Sequence, residues 1–380
     1  MKQGIHTEPL TKKEYFTGYS YKCLYDWDQY FEAIVQLYLG WDPKYIRNGV
    51  EIFLDLQREE GFIPRSVPSD GPHDTEHVKP FLSQILLLLH RDGDGLGWLR
   101  DGYYARLKKY LLHWLVSKDH NGDHLSFWDS GPHTGMDNQH ERAGWWGDRI
   151  SEGVDLNSFL YRECIAFSRI SEILGETGDR DDFLARAGHI RKAVEDILWD
   201  EADGMYYDRD KNTKKPIRVK HIGCFAPLWA GIPDQARADR MIRGHLFNPE
   251  EFLRPFPFPA LSKSEPGYSE SKLDKDLGCS WRANTWIPTN YYLFHALRKY
   301  GYGKESESLG NITYEMVQKI GDREYYTSES CTGCGLDPFW GWSLLAYFMP
   351  LESFLRYDPT DLQPSVADLV RIKVNKGAGE

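Results

Sequence analysis

Hydrophobic positions recur at helical spacing through most of the chain. Trp27, Phe31, Ile34 and Tyr38 fall on one face and the run stops at Gly40. Asp42-Pro43 then supplies a cap and a first-turn proline for a second helix carrying Ile46, Val50, Phe53 and Leu54, closed by Gly61. The same unit returns: Leu82–His90 with Tyr103–Val116, Asp155–Leu174 with Asp181–Leu198, His221–Trp229 with Gln235–Leu246, and Thr289–Tyr300 with Lys304–Ile320. Pro338–Phe348 opens a last pair whose outer member is weakly marked. The pattern predicts roughly six helix pairs without sequence identity between them, which argues against a solenoid of repeated units. Several first members are apolar on more than one face, as helices covered by an outer layer are. The expected fold is all-α, an (α/α)6 toroid or six-hairpin barrel with long loops at one mouth. No linker breaks the rhythm, so residues 1–380 are expected to form one domain.

Three long segments interrupt the helices: Gly61–Pro80, Lys118–Gly153 and Phe247–Trp286. Loops of that length in a compact domain are usually functional or disordered. These are rich in Trp, Asp, Arg and His, which favours function. Composition adds a limit. With 57 acidic against 46 basic residues and a net charge of −11, the chain lacks the clustered basic surface that nucleic acid requires. The longest apolar run, Ile85–Leu89, is too short to span a bilayer, and the polar N-terminal segment has no signal-like apolar core, so a cytoplasmic protein is expected. The 13 Trp, 23 Tyr and 18 Phe are admissible for sugar stacking as well as for a core.

The chemistry-bearing residues gather in four clusters. Phe127–Asp155 places several acids among glycines and rings, including Trp128 and the run Gly135-Met136-Asp137-Asn138. A carboxylic acid desolvated by aromatic rings can act as a general acid near neutral pH, although an Asx-turn explains the same run. Glu324, followed by Tyr325 and Tyr326, precedes a Gly- and Cys-containing loop and Phe339-Trp340-Gly341-Trp342, where it could activate water or be a plain surface acid. Tyr25-Asp26-Trp27-Asp28 and Ser280-Trp281-Arg282 with Trp286 mix hydrogen-bonding and stacking groups suited to binding, or to core and cap. Cys331-x-x-Cys334 has no second pair for a zinc ribbon, His73 and His77 lie in a Pro/Asp/Gly-rich loop, and Asp119–Asp123 lacks the distal glutamate of a calcium loop. No metal and no cofactor is expected.

The order of these clusters, with Gly61-Phe62-Ile63-Pro64-Arg65 and Val154-Asp155-Leu156-Asn157 between them, resembles the glycoside hydrolase family 63 and family 37 group. That group holds processing α-glucosidases, mannosylglycerate and glucosylglycerate hydrolases, and trehalases. The likeness spans most of residues 20 to 350. It implies Asp137 as general acid, Glu324 as general base and inversion at the anomeric carbon. It also implies a sugar-binding set of Tyr25, Trp27, Asp28, Arg65, Trp128, Asn138, Trp281, Arg282, Trp286, Tyr325 and Trp342. The expected partner is a small α-linked glucoside or mannoside. Asp129, separated from the acid motif by Pro132-His133-Thr134, rivals Asp137, and Glu329 rivals Glu324. A sugar epimerase using cavity histidines and a non-catalytic sugar-binding protein are the alternative functions.

Overall fold

A computed structural model describes residues 2–69, 73–93, 95–144, 149–271 and 279–362. The expected helical character holds. The helices are α1 (Asp26–Tyr38), α2 (Lys44–Asp55), α3 (Leu82–Arg91), α4 (Tyr103–Leu112), the single turn α5 (His140–Ala143), α6 (Val154–Leu174), α7 (Thr177–Ala193), α8 (Ala226–Ala230), α9 (Gln235–Met241), α10 (Ile287–Lys299), α11 (Gly303–Ile320) and α12 (Met349–Leu355). Boundaries moved for local reasons. α10 begins two residues before the expected Thr289, because Pro288 in the first turn lacks only a donor that would have no partner there. α7 starts at Thr177 rather than Asp181, since Gly178 in its first turn reads as loop but is tolerated. Helices α4, α7 and α9 each run on into one widened turn, at His113–Ser117, Val194–Leu198 and Ile242–Leu246.

Packing separates inner from outer helices. Every residue of α1 is buried, whereas α7 buries only Phe183, Ala187, Ile190 and Ala193. α1 packs on α3, α3 on α6, α6 on α8, α8 on α10, α10 on the tight turn Trp342–Tyr347, and that turn on α1 again. Aromatic side chains fill the space these elements surround. Tyr30 meets Phe81 at 5.2 Å between ring centres, Phe81 meets Phe159 at 5.0 Å, and Trp229 stacks on Tyr292 at 5.5 Å. Packing of this kind buries these rings at the middle of the helical layers. Helix ends are tied across the layers too: the Glu163 carboxylate on α6 accepts the N–H groups of Ser83 and Gln84 at 2.5 and 3.2 Å. Those first-turn donors of α3 have no partner within their own helix, and a carboxylate suits the positive helix end.

Short strands accompany the helices without altering the helical architecture. Short strands of two or three residues stitch the loops together, pairing the Cys23–Tyr25 strand with Ser66–Pro68 and joining Asn284–Thr285, Tyr325–Thr327 and Gly333–Cys334 in one small sheet. Runs this short carry no periodic signal of their own; their partners lie 40 or more residues away in the first case. Among the described residues no helix is long and apolar enough to cross a membrane.

Candidate active site

The small strands and the N-terminal ends of the inner helices converge on one cavity of about 260 Å³. Pairing of Tyr25 with Ser66 brings the start of α1 beside Arg65. The bridge between Pro64 and His77 delivers Lys79 to the same place, two residues before the α3 cap. Pairing of Thr285 with Tyr326 holds the Trp281–Trp286 loop beside Glu324. Asp137 arrives on a turn that needs glycine before it. Gly135 has φ +80°, and a Cβ there would stand 3.0 Å from the Lys79 side chain and 3.2 Å from the Trp27 ring.

Nine of the expected residues line this cavity: Asp137, Glu324, Tyr25, Trp27, Asp28, Arg65, Trp281, Trp286 and Trp342. The half-buried Asp137 carboxyl is desolvated, which pushes its pKa up, while Arg65, Lys79 and the Cys279 thiol pull the other way without cancelling the rise. Asp28 is raised further, to about 7, by burial and by the neighbouring Asp26; Lys79 and a 3.0 Å hydrogen bond from the Tyr19 hydroxyl offset only part of this. Glu324 is 8% exposed, and one of its carboxylate oxygens accepts the Leu336 N–H at 2.9 Å. Gly335 must be glycine for this to happen: its φ is +81°, and a Cβ would fall 2.3 Å from that oxygen. The aromatic wall is a pile of rings. Trp281 lies 3.7 Å from Trp286 at 7° between planes, and Trp286 lies 4.6 Å from Tyr325.

Trp128, Asn138, Arg282 and Tyr325, expected as sugar contacts, do not line the cavity and stand behind its wall. The Trp128 indole N–H is spent on Asp155 at 2.9 Å, and Asn138 accepts the Trp281 backbone N–H at 2.7 Å. Arg282 is fully buried and donates to Glu141 and the Gly267 carbonyl, while Tyr325 backs Trp286. Asp155 of the Val154–Asn157 run is likewise internal, gripped by two bonds of 2.8 Å from Arg142, which also bonds Asp208. Trp145 and Trp146 of the same dense segment lie outside the described residues.

The rival acids are placed elsewhere. Burial would raise Asp129, but His133 and Lys118, whose ammonium is 2.8 Å away, hold its carboxyl well below the usual range. A group held ionised cannot deliver a proton. Glu329 is bound by Arg254 and by the Tyr268 hydroxyl at 2.8 Å, and Arg254 keeps it low. Histidine does not occur among the described residues lining this cavity; His77 is a core residue, accepting the Ile63 N–H at 3.0 Å and kept neutral by burial. Sequence reasoning passed over Tyr19, Tyr21, Lys79 and Cys279 as site residues and named Asp26 only within its cluster. Lys79 pairs with Asp26 at 3.1 Å in the buried wall, a contact across 53 positions that no local pattern announces.

The cavity is walled by indoles, carries the carboxyls of Asp26, Asp28, Asp137 and Glu324, and sits in a ring of helices; known proteins share this fold. A crystal structure of a family 63 mannosylglycerate hydrolase from Thermus thermophilus, in complex with glucose, superposes with a TM-score of 0.71 at 18% identity, covering 88% of this chain and 95% of that one. Neutral trehalase from Saccharomyces cerevisiae superposes with a TM-score of 0.68, again at 18% identity, over 92% of this chain and 76% of that one. In sequence, a mannosylglycerate hydrolase of Rubrobacter radiotolerans is 30% identical over 198 residues, 52% of this chain and 43% of that protein. A mannosylglycerate hydrolase of Thermus thermophilus is 29% identical over 155 residues, 40% and 35% of the two chains. These alignments thus span less than half the length of the curated relatives. The mannosylglycerate hydrolase MGH1-like glycoside hydrolase domain matches residues 21–343, and the chain belongs to that family.

Proposed function

We propose that this chain is an inverting glycoside hydrolase acting on a small α-linked glucoside or mannoside of the disaccharide or glycosylglycerate type. One observation carries the reading: Asp137 and Glu324, far apart in sequence, line the same cavity beside a wall of indole rings. Asp137, whose raised pKa keeps its proton available, protonates the glycosidic oxygen. Glu324 takes a proton from the water that attacks the anomeric carbon from the other face. Inversion needs the two carboxyls about 6.5–9.5 Å apart, with that water between them. Asp28, Trp27 and Trp342 hold the sugar ring, and Arg65 meets the leaving group side. The names of the relatives favour a glycosylglycerate, and one Thermus structure holds Tris and D-glycerate.

The closed cycle of inner elements supports an (α/α)6 toroid, and the described residues form one catalytic domain in this reading. A cytoplasmic location fits the six cysteines, all of them unbridged, and the cytosolic neutral trehalase of Kluyveromyces lactis among the relatives. The test is a panel of α-mannosylglycerate, α-glucosylglycerate, trehalose and further α-disaccharides, with the released anomer followed by proton NMR. Asp137→Asn and Glu324→Gln each lose about 10²–10⁴-fold in kcat with the fold intact. Full activity in either variant, or an α-sugar as first product, overturns the assignment.

A further inference from the structure

Three consecutive side chains of the acid loop grip one short segment opposite. The Asn138 side-chain oxygen accepts the Trp281 N–H at 2.7 Å, and the Gln139 amide donates to the Trp281 carbonyl at 2.6 Å and to the Ala260 carbonyl at 2.9 Å. These bonds fix the register in which Cys279 faces Asp137, its Sγ 3.5 Å from Oδ2. The thiol lies in the cavity wall with both carboxyls close enough to raise its own pKa, in addition to the larger effect of burial. It therefore remains an S–H donor, and a carboxyl oxygen is the acceptor in front of it.

We propose that Cys279 is a positioning residue for the general acid: its S–H donates to Oδ2 of Asp137, which leaves the transferable proton on Oδ1, facing the leaving group. This rests on the hydrolytic reading of the site. When Asp137 gives up its proton, Oδ2 becomes part of a carboxylate and the same S–H bond becomes charge-assisted. The bond thus strengthens as the leaving group departs. The charged or titratable groups facing Asp137 are Arg65, Lys79, Glu76 and Cys279, and Glu324 acts on the Cys279 thiol as well. Of these only the thiol is a neutral donor, so it orients the carboxyl while favouring its ionised form less strongly than a cation would.

The consequences separate orientation from mere packing. Removing the donor in Cys279→Ala takes away a bond that favours the ionised acid, so the basic limb of kcat/KM moves to higher pH, by about half a unit to one unit for a weak donor. Cys279→Ser, a stronger donor, moves it back or slightly lower, with KM unchanged in both. A purely structural role would lower activity evenly across pH. The contact is also read without turnover, by iodoacetamide alkylation of the purified full chain against pH, quantified on the Cys279 peptide with those of Cys331 and Cys334 as controls. In Asp137→Asn the midpoint for Cys279 falls, because a negative neighbour has gone, while the controls hold. An unchanged Cys279 midpoint overturns the proposal, as does an unshifted limb in an active Cys279→Ala enzyme. A lowered midpoint in a chain that hydrolyses nothing on the panel sinks the hydrolase reading and leaves the contact standing.

Discussion

Replacing Lys79 by methionine is the most informative single perturbation of this molecule. Its ammonium stands 3.1 and 3.2 Å from the two oxygens of Asp26, with 1% and 2% of the two side chains exposed. Breaking a buried pair by removing one member costs about 3–5 kcal/mol, because the other charge stays buried without its partner. Asp26 would still accept the N–H of residue 79 at 2.9 Å and that of Trp27 at 2.7 Å. Lys79→Met therefore falls at the lower end, about 3 kcal/mol. Asp26→Asn destabilises less, since the amide oxygen, the nearby Asp28 and Asp137 carboxyls and the Trp27 ring, 5.6 Å away, still face the ammonium. The double variant, which removes both charges of this pair, costs less than the sum of the two. Urea unfolding at constant pH measures all three against the parent chain, and the slopes should agree. A loss below about 1 kcal/mol for Lys79→Met, the size of a surface pair, would refute the reasoning. So would simple additivity in the double variant. A second readout follows from the same substitution: Lys79 lowers the Asp137 pKa, so its removal shifts the basic limb of the pH–activity curve upward.

Two further outcomes are expected. Asp28 has a folded-state pKa of about 7 against an ordinary carboxyl value near 4, so the folded chain binds the extra proton between those limits. The Asp28 contribution to stability therefore falls as pH rises from about 4 to 7 and then levels, so Asp28→Asn removes a downward component of the stability–pH curve in urea titrations; an unchanged curve between those limits counts against it. Gly335→Ala introduces a Cβ at 2.3 Å from the Glu324 oxygen in a left-handed backbone, so activity drops about tenfold or more while far-UV circular dichroism stays the same. Retained activity would mean that Glu324 is not held where the structure shows it.

The long helices were readable because their apolar spacing is redundant: a residue or two can be misjudged without losing Asp26–Tyr38 or Val154–Leu174. The site was readable only as an ordered set of clusters. Which members face the cavity depends on partners far along the chain. Trp128 and Asp155 carry the same residue types as Trp27 and Asp28, yet the first two bond each other inside the wall. Lys79 looked unremarkable beside Pro80, and only the pairing of Pro64 with His77 and the depth of Asp26 give it a place. The short strands were invisible for a related reason, since two residues define no period and their register is set by the partner.

The near-parallel Trp281 and Trp286 rings, 3.7 Å apart, have an optical consequence. Two indoles this close couple through their strong short-wavelength absorption, so the far-ultraviolet circular dichroism contribution of this wall depends on how the two rings are turned against each other. Any ligand that pries the rings apart or slides one across the other would alter that signature directly. The protein thus contains a spectroscopic gauge of its own cavity, independent of turnover.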